Sequence, residues 1–478
     1  MRIQGGKILT TDGPVAADVV VEGARIAAVE PPRDGPPDDG DVDARGRWVL
    51  PGGVDAHTHF GMPLGGGLAS LGWRESSAAA LLGGTTTVVD FANPDHGESL
   101  AAAVARWRAA ADGHVLCDYG LHVTVVEAAA ARLAEIPALV AAGVPTFKGF
   151  LAYKGRLMLS PAELTAVAGA VAAAGGLLLV HAEDGELNAA VEAELLAAGR
   201  STPRWHPDAH PVESEVQAAT LALDLARQAG CPLLVVHMSA AGTLAALRRA
   251  RADREDGGPA ALGEVCLHHL FADDAGYRAG DDAALAGICS PPLRPAGHGA
   301  ALLAGLADGT IDLLSTDHCE FTLAAKRRAA AGGFPRVPNG CGGVGERLVF
   351  SHTLAVCEGR LEPWRWQQAF AERPAALMGL AARKGRLAPG LDADVVLFDP
   401  EARYAWQPAA GSDVEGSLWA GRDAIGRVTD VWLRGERVVA DGTLCARQPG
   451  GAFLPRSLAA PPDAMAAAGS PPEGKDGR

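Results

Sequence analysis

Residues 176–183 read GLLLVHAE and residues 231–239 read CPLLVVHMS. Each is an apolar run with no polar alternation, followed within a residue or two by a histidine. A strand of that kind is buried on both faces, which is the mark of parallel pairing between layers of helix. Helix-like segments separate such runs: SPAELTAVAGAVAAAGG (160–176), with Ser160 and Pro161 placed as N-cap and first helical residue, and VESEVQAATLALDLARQAG (212–230). Six further runs share the pattern: WVLPGGVDAH (48–57), TTTVVDFA (85–92), CDYGLHVTVV (117–126), TFKGFLA (146–152), GEVCLHHL (263–270) and IDLLSTDH (311–318). Eight such units predict an α/β chain whose residues 51–384 form a (β/α)8 TIM-type barrel.

The ends of the chain read differently. MRIQGGKIL (1–9) and ADVVVEGARIAAVE (17–30) alternate and turn like hairpins, as do ADVVLFDP (393–400) and VTDVWLRGERVVADGTL (428–444). They predict a smaller β-sandwich built jointly from residues 1–50 and 385–450, with the barrel between them. Residues 451–478, rich in Ala, Pro and Gly and without periodicity, are expected to be a mobile tail or an arm ordered against a neighbouring subunit.

Composition narrows the function. Of 478 residues 48% are hydrophobic, enough for a large core, while 42 basic against 57 acidic residues leave a net charge of −15. No Lys/Arg-rich run could follow a phosphate backbone, so nucleic acid is not an expected partner. No run of about 18 apolar residues could span a bilayer and the N-terminus has no signal-like core, so the expectation is a cytoplasmic protein without a membrane partner. The eight cysteines form no CxxC pair and read as reduced core residues.

The chemistry collects where a barrel carries its active site, at the C-terminal ends of the strands. Asp55, His57 and His59 follow the first strand; Lys148 lies on the fourth; His181, His237 and Asp317 end the fifth, sixth and eighth. An HxH pair alone is more often structural, but four histidines and an aspartate at one end of one barrel are a metal-ligand set. Five ligands exceed what one open catalytic zinc takes, so two divalent ions, zinc foremost, are expected. Two adjacent dications need an anion between them. Lys148 sits between phenylalanines, where an ammonium is expensive to desolvate. Carbamylation by CO2 would turn it into a bidentate anion that bridges both ions. The plainer readings are a lysine paired with a buried carboxylate or one snorkelling to the barrel mouth; the histidine set decides against them.

The strings VDAHTH (54–59), GGTTTVVDFANP (83–94), TFKGFLAYKG (146–155), LLLVHAEDGE (177–186), LLVVHMSAAG (233–242), ICSPPLR (288–294), LLSTDHC (313–319) and PNGCGGVGER (338–347) resemble, in order and spacing, the dihydropyrimidinases and hydantoinases, the cyclic-amide branch of the amidohydrolases. The likeness extends through KGRLAPGLDADVVLFDP (384–400). It implies that His57, His59 and Asp317 hold one ion, His181 and His237 the other, and that carbamylated Lys148 bridges them. It further implies that Tyr153 donates to the oxyanion of the tetrahedral intermediate, that main-chain groups at Ser290 and Asn339 grip the cyclic amide, and that Asp317 relays the proton. Beside it His318 is either a support for a ligand or purely structural. The implied substrate is a small cyclic ureide or imide, a dihydropyrimidine or 5-substituted hydantoin opened to an N-carbamoyl amino acid, as in pyrimidine catabolism. A homo-oligomer, tetramer or dimer, is implied as well.

This sequence departs from the family pattern at Cys266-Leu267-His268-His269 after Glu264, at Glu320 after DHC, and at Gly345 where an acid is common. None of these removes a ligand. Met62, Pro63, Leu64, Leu151, Leu157 and Leu159 are candidates to line an aliphatic pocket for the ring substituent. Three rival readings remain: an allantoinase, a dihydroorotase, which Phe60-Gly61-Met62 in place of an arginine after HxH disfavours, and a non-catalytic scaffold of the collapsin-response-mediator type, which retention of all six ligands disfavours.

Overall fold

The computed structural model describes residues 1–65, 67–254, 257–446 and 448–458. Eight parallel strands lie in chain order in one sheet. They are the first (Gly53–Thr58), second (Thr85–Ala92), third (Asp118–Thr124), fourth (Thr146–Phe150), fifth (Leu177–His181), sixth (Leu233–Val235), seventh (Ala261–Cys266) and eighth (Leu313–Ser315). Every residue of these strands is buried except Ala261, which is partly so. That is why their sequences show no alternation. A parallel bridge between Thr58 and His318, with the His59 N–H donating to the His318 carbonyl at 2.8 Å, brings the first and last exits together. The barrel sheet is thereby nearly closed. Val54, Val89, Phe91, Leu177, Leu179, Leu234 and Leu313 fill its interior.

Helices cover the outside. Pro161–Ala173 begins as its sequence requires: Ser160 Oγ accepts the Glu163 N–H at 3.3 Å, and the Glu163 carboxylate accepts the Ser160 N–H at 2.8 Å. Among the described residues no helix is long and apolar enough to cross a membrane. All eight cysteines are free; six are buried, as core residues should be, but Cys357 and Cys445 are exposed.

The chain ends form a second, mixed sheet of nine strands. Trp48–Pro51 joins its halves, pairing with Arg2–Thr10 on one side and with Val395–Ala405 on the other through Val396 opposite Leu50 and Leu397 opposite Val49. The two ends of this one sheet share a core of Ile3, Val19, Ile26, Val49, Val395, Leu397 and Trp432. Where they meet, Gly435 (φ +79°) passes so close that a Cβ would stand 2.0 Å from the Gly23 carbonyl. Buried Lys384 links this sheet to the barrel through Asp394 (2.6 Å) and Asp118 (2.8 Å).

The tail expected from residue 451 requires a correction for its first part. Residues 451–458 run along this chain's own barrel: the Tyr119 N–H donates to the Ala452 carbonyl at 3.0 Å and the Leu454 N–H to the Tyr119 carbonyl at 2.7 Å. Leu454, 1% exposed, joins the barrel interior, and Arg456 donates to the Met378 carbonyl (3.2 Å) and Thr146 Oγ1 (2.7 Å). The rest of that expectation, 459–478, lies outside the described residues. Leu454→Ala should therefore cost about 2–4 kcal/mol, read as a lower denaturant midpoint at unchanged m-value.

Candidate metal centre

Side chains two apart on an extended segment share a face, so the first strand sends His57 and His59 to the same place. His59 Nε2 lies 3.0 Å and His57 Nε2 3.2 Å from Asp317 Oδ1. His57, His237 and Asp317 each offer one ligand atom within 4.8 Å of the other two. The His181 and His237 rings are 4.5 Å apart, and His57 stands 5.4 Å from His237. The structure thus brings His57, His59, His181, His237 and Asp317 into one cluster.

Lys148 is 1% exposed, with Nζ over the Phe91 ring at 4.8 Å and the Phe150 ring at 5.0 Å. Among the described residues it makes no hydrogen bond and no ion pair. Burial pushes its amine below the ordinary lysine range, although Asp317 and Glu264 pull the other way. Burial likewise holds His57 and His237 well below the usual imidazole range and lowers His181. These rings are neutral, the form that binds metal. Burial raises Asp317, but its surroundings, including the His59 ring hydrogen-bonded to it, hold it well below the usual carboxylate range. His57 Nε2, His59 Nδ1 and His237 Nδ1 are buried without a hydrogen-bond partner among the described residues. Orphaned imidazole nitrogens around a carboxylate fit divalent ions of the zinc class.

Two carboxylates aim the cluster, and only one had been singled out, as a landmark rather than for a role. Glu264 Oε1 accepts His57 Nδ1–H at 2.7 Å and the His237 N–H at 3.0 Å, turning His57 Nε2 towards Asp317. Glu183 Oε2 engages His181 Nε2 at 2.8 Å, leaving Nδ1 for an ion, and its other oxygen meets His210 Nδ1 at 2.9 Å. The available signal was an acid inside an apolar run, GEVC, or just after one, VHAE. Tyr153 (φ +61°), His237 (φ +37°) and Asp317 (φ +49°) are three of the five non-glycine residues in the left-handed region among the described residues. Backbone strain of that kind persists only where the surroundings enforce it, commonly at working sites.

Tyr153 contacts the side chains of Ser290 and Asn339, and burial keeps its phenol protonated as a donor. The Ser290 hydroxyl donates to Glu183 Oε2 at 2.7 Å, so its side chain, besides its main chain, is engaged. His318 turns away: Nδ1 accepts the Gly343 N–H at 3.2 Å and Nε2 faces Ser76 Oγ at 3.3 Å, a structural role. Asp55 lies beneath the cluster, taking the Thr316 hydroxyl at 2.7 Å, with Arg347 at 3.9 Å. Of the pocket candidates, Leu151 and Leu159 belong to the main core, whereas Met62, Leu64 and Leu157 are half-buried and Pro63 is exposed.

The family model described as "Amidohydrolase family" matches residues 48–438, and the chain belongs to that family. The D-hydantoinase of Streptomyces coelicolor is 38% identical over 460 residues, 95% of this chain and 97% of that protein. A D-phenylhydantoinase of Escherichia coli strain UMN026 is 34% identical over 96% of this chain and 99% of its own. The crystal structure of dihydropyrimidinase from Brevibacillus agri superposes with a TM-score of 0.91 at 30% identity, covering 96% of this chain and 98% of that one.

Replacing Glu264 with Gln should weaken metal retention about 10–100-fold in a chelator competition, because His57 loses the carboxyl that orients its ring. A second expectation concerns two buried acids, Glu320 and Glu346. Burial pushes Glu346 up to about 8, with Glu320 adding to it, and pushes Glu320 up to about 7. Carboxyls raised in the folded state favour folding below the ordinary carboxylate range, and that advantage is lost as pH rises through about 7 to 8. Glu346→Gln should therefore stabilise the protein by roughly 1–3 kcal/mol at pH 8.5 and hardly at all at pH 5, measured as paired denaturant curves.

Proposed function

We propose that this chain is a dinuclear-metal hydrolase that opens the cyclic amide of a 5-substituted hydantoin or a dihydropyrimidine to an N-carbamoyl amino acid. The observation that carries the reading is Lys148, buried with no hydrogen bond or ion pair among the described residues, beside a cluster of histidines and Asp317. The names of relatives that match over nearly the whole chain support the same substrate class. In this reading the eight parallel strands are the core of a (β/α)8 barrel over 51–384, and the terminal segments 1–50 and 385–450 fold into a composite sandwich beside it. A homo-oligomer and a cytoplasmic location, with no nucleic-acid or membrane partner, belong to the same reading and rest on composition and family.

His57, His59 and Asp317 would hold one ion and His181 and His237 the other, with Lys148, carboxylated by CO2, between them. The neutral amine is the form that reacts with CO2, and burial favours that form. When bound, such ions supply a water of lowered pKa and polarise the scissile carbonyl. Asp317 Oδ1 faces His57 and His59, leaving Oδ2 to take the proton of the attacking water and return it to the departing ring nitrogen. Tyr153 donates its phenolic hydrogen to the carbonyl oxygen as negative charge grows there. Ser290, anchored to Glu183, and Asn339 position that phenol and the ring edge.

The test is a panel of hydantoins, dihydropyrimidines and allantoin, followed as ultraviolet absorbance is lost on ring opening. Hydantoins or dihydropyrimidines should be opened and allantoin not. Lys148→Ala and His57→Ala should abolish turnover while the fold persists. Full activity of Lys148→Ala without added short carboxylic acids would contradict the bridge. Tyr153→Phe should lower kcat about 10²-fold, the scale of one lost oxyanion donor; a change in KM alone would remove it from that role.

A further inference from the structure

Five of the eight strands supply the cluster described above: the first, fourth, fifth, sixth and eighth. The seventh exits through Cys266-Leu267-His268-His269, one of the places where the sequence leaves the family pattern. The Cys266 thiol and one nitrogen from each of His268 and His269 lie within 4.8 Å of one another. All three residues are buried, with Cys266 at 0%, His268 at 1% and His269 at 4% exposure. The two rings stand 4.2 Å apart, at 56° to each other.

The hydrogen bonding of this group is incomplete. Neither ring nitrogen of His268 has a partner among the described residues, and nor has His269 Nδ1. His269 Nε2 is held by the Pro291 carbonyl at 3.0 Å, which leaves Nδ1 as the nitrogen to give away. Among the described residues the thiol meets only the Ser315 hydroxyl, at 3.7 Å. A buried polar group left unpaired is costly, and one free nitrogen from each ring beside the thiol makes a ready ligand set. We propose that Cys266, His268 and His269 bind a third metal ion, a thiophilic divalent cation of the zinc and cadmium class.

One sulfur with two imidazoles suits such ions and disfavours magnesium or calcium, which take oxygen. Three protein ligands leave a fourth position for water. Binding replaces the thiol hydrogen: the S–H bond breaks, a sulfur–metal bond forms, and one proton leaves to solvent. The main cluster contains no sulfur, so a thiolate signal separates the two sites.

The experiment uses the full chain with Cys357 and Cys445, the exposed thiols, changed to Ser. The protein is loaded with two equivalents of zinc, enough for the histidine cluster alone, and then titrated with cadmium alone. One further equivalent should bind, with growth of a thiolate-to-cadmium charge-transfer band in the ultraviolet. Cys266→Ser should lose both the band and the equivalent. His268→Ala and His269→Ala keep the thiol and should each weaken cadmium binding about 10–100-fold, so the test survives if the cysteine variant does not fold. Absence of the further equivalent, or a band unchanged in the Cys266 and histidine variants, would overturn the site. Failure of the dinuclear reading would show separately, in the amount of zinc bound before cadmium is added.

Discussion

An amine buried against the rings of Phe91 and Phe150, beside a cluster that includes three neutral imidazoles, is costly as an ammonium and chemically exposed as a free base. Burial drives Lys148 toward the neutral form; Asp317 and Glu264 draw it back toward the charged one. In the proposed reading, divalent ions at the neighbouring nitrogens, with CO2 on the amine, would resolve the conflict by replacing a buried cation with an anion between cations. The rest of the site is arranged around that exchange. The parallel register sets Lys148 beside Leu179 and Phe150 beside His181, so the fourth strand delivers the amine next to the histidine of the fifth.

The surrounding carboxylates divide the work by position. Asp317 faces His57 and His59; Glu264 and Glu183 stand behind His57 and His181 and fix which nitrogen of each ring is presented. The positive φ angles at Tyr153, His237 and Asp317 show the same priority in the backbone. At the barrel mouth, placing a side chain has taken precedence over relaxed geometry.

Much of this was legible in the sequence because buried parallel strands have an unmistakable pattern. Apolar runs located the strands, strand parity aligned His57 with His59, and a lysine inside TFKGF was conspicuous because an ammonium in a strand core is expensive to desolvate. Family resemblance added Tyr153, Ser290 and Asn339, which the structure groups together. Other features depended on contacts distant in sequence. Nothing local says that His318 turns its ring to Gly343 and Ser76, or that Leu151 and Leu159 join the core. The placement of Leu454 inside the barrel was hidden because 451–458 is too short to show a period. The continuity of the terminal sheet was hidden because Trp48–Pro51 reads equally well as the start of the barrel.

The most direct measurement is a crystal structure of the active enzyme at high resolution, with anomalous scattering collected at the metal edge. The account predicts two anomalous peaks among His57, His59, His181, His237 and Asp317, and density for a carboxylated Lys148 reaching both. A bare amine at position 148 in fully active crystals, with no anomalous peak at the histidines, would contradict it.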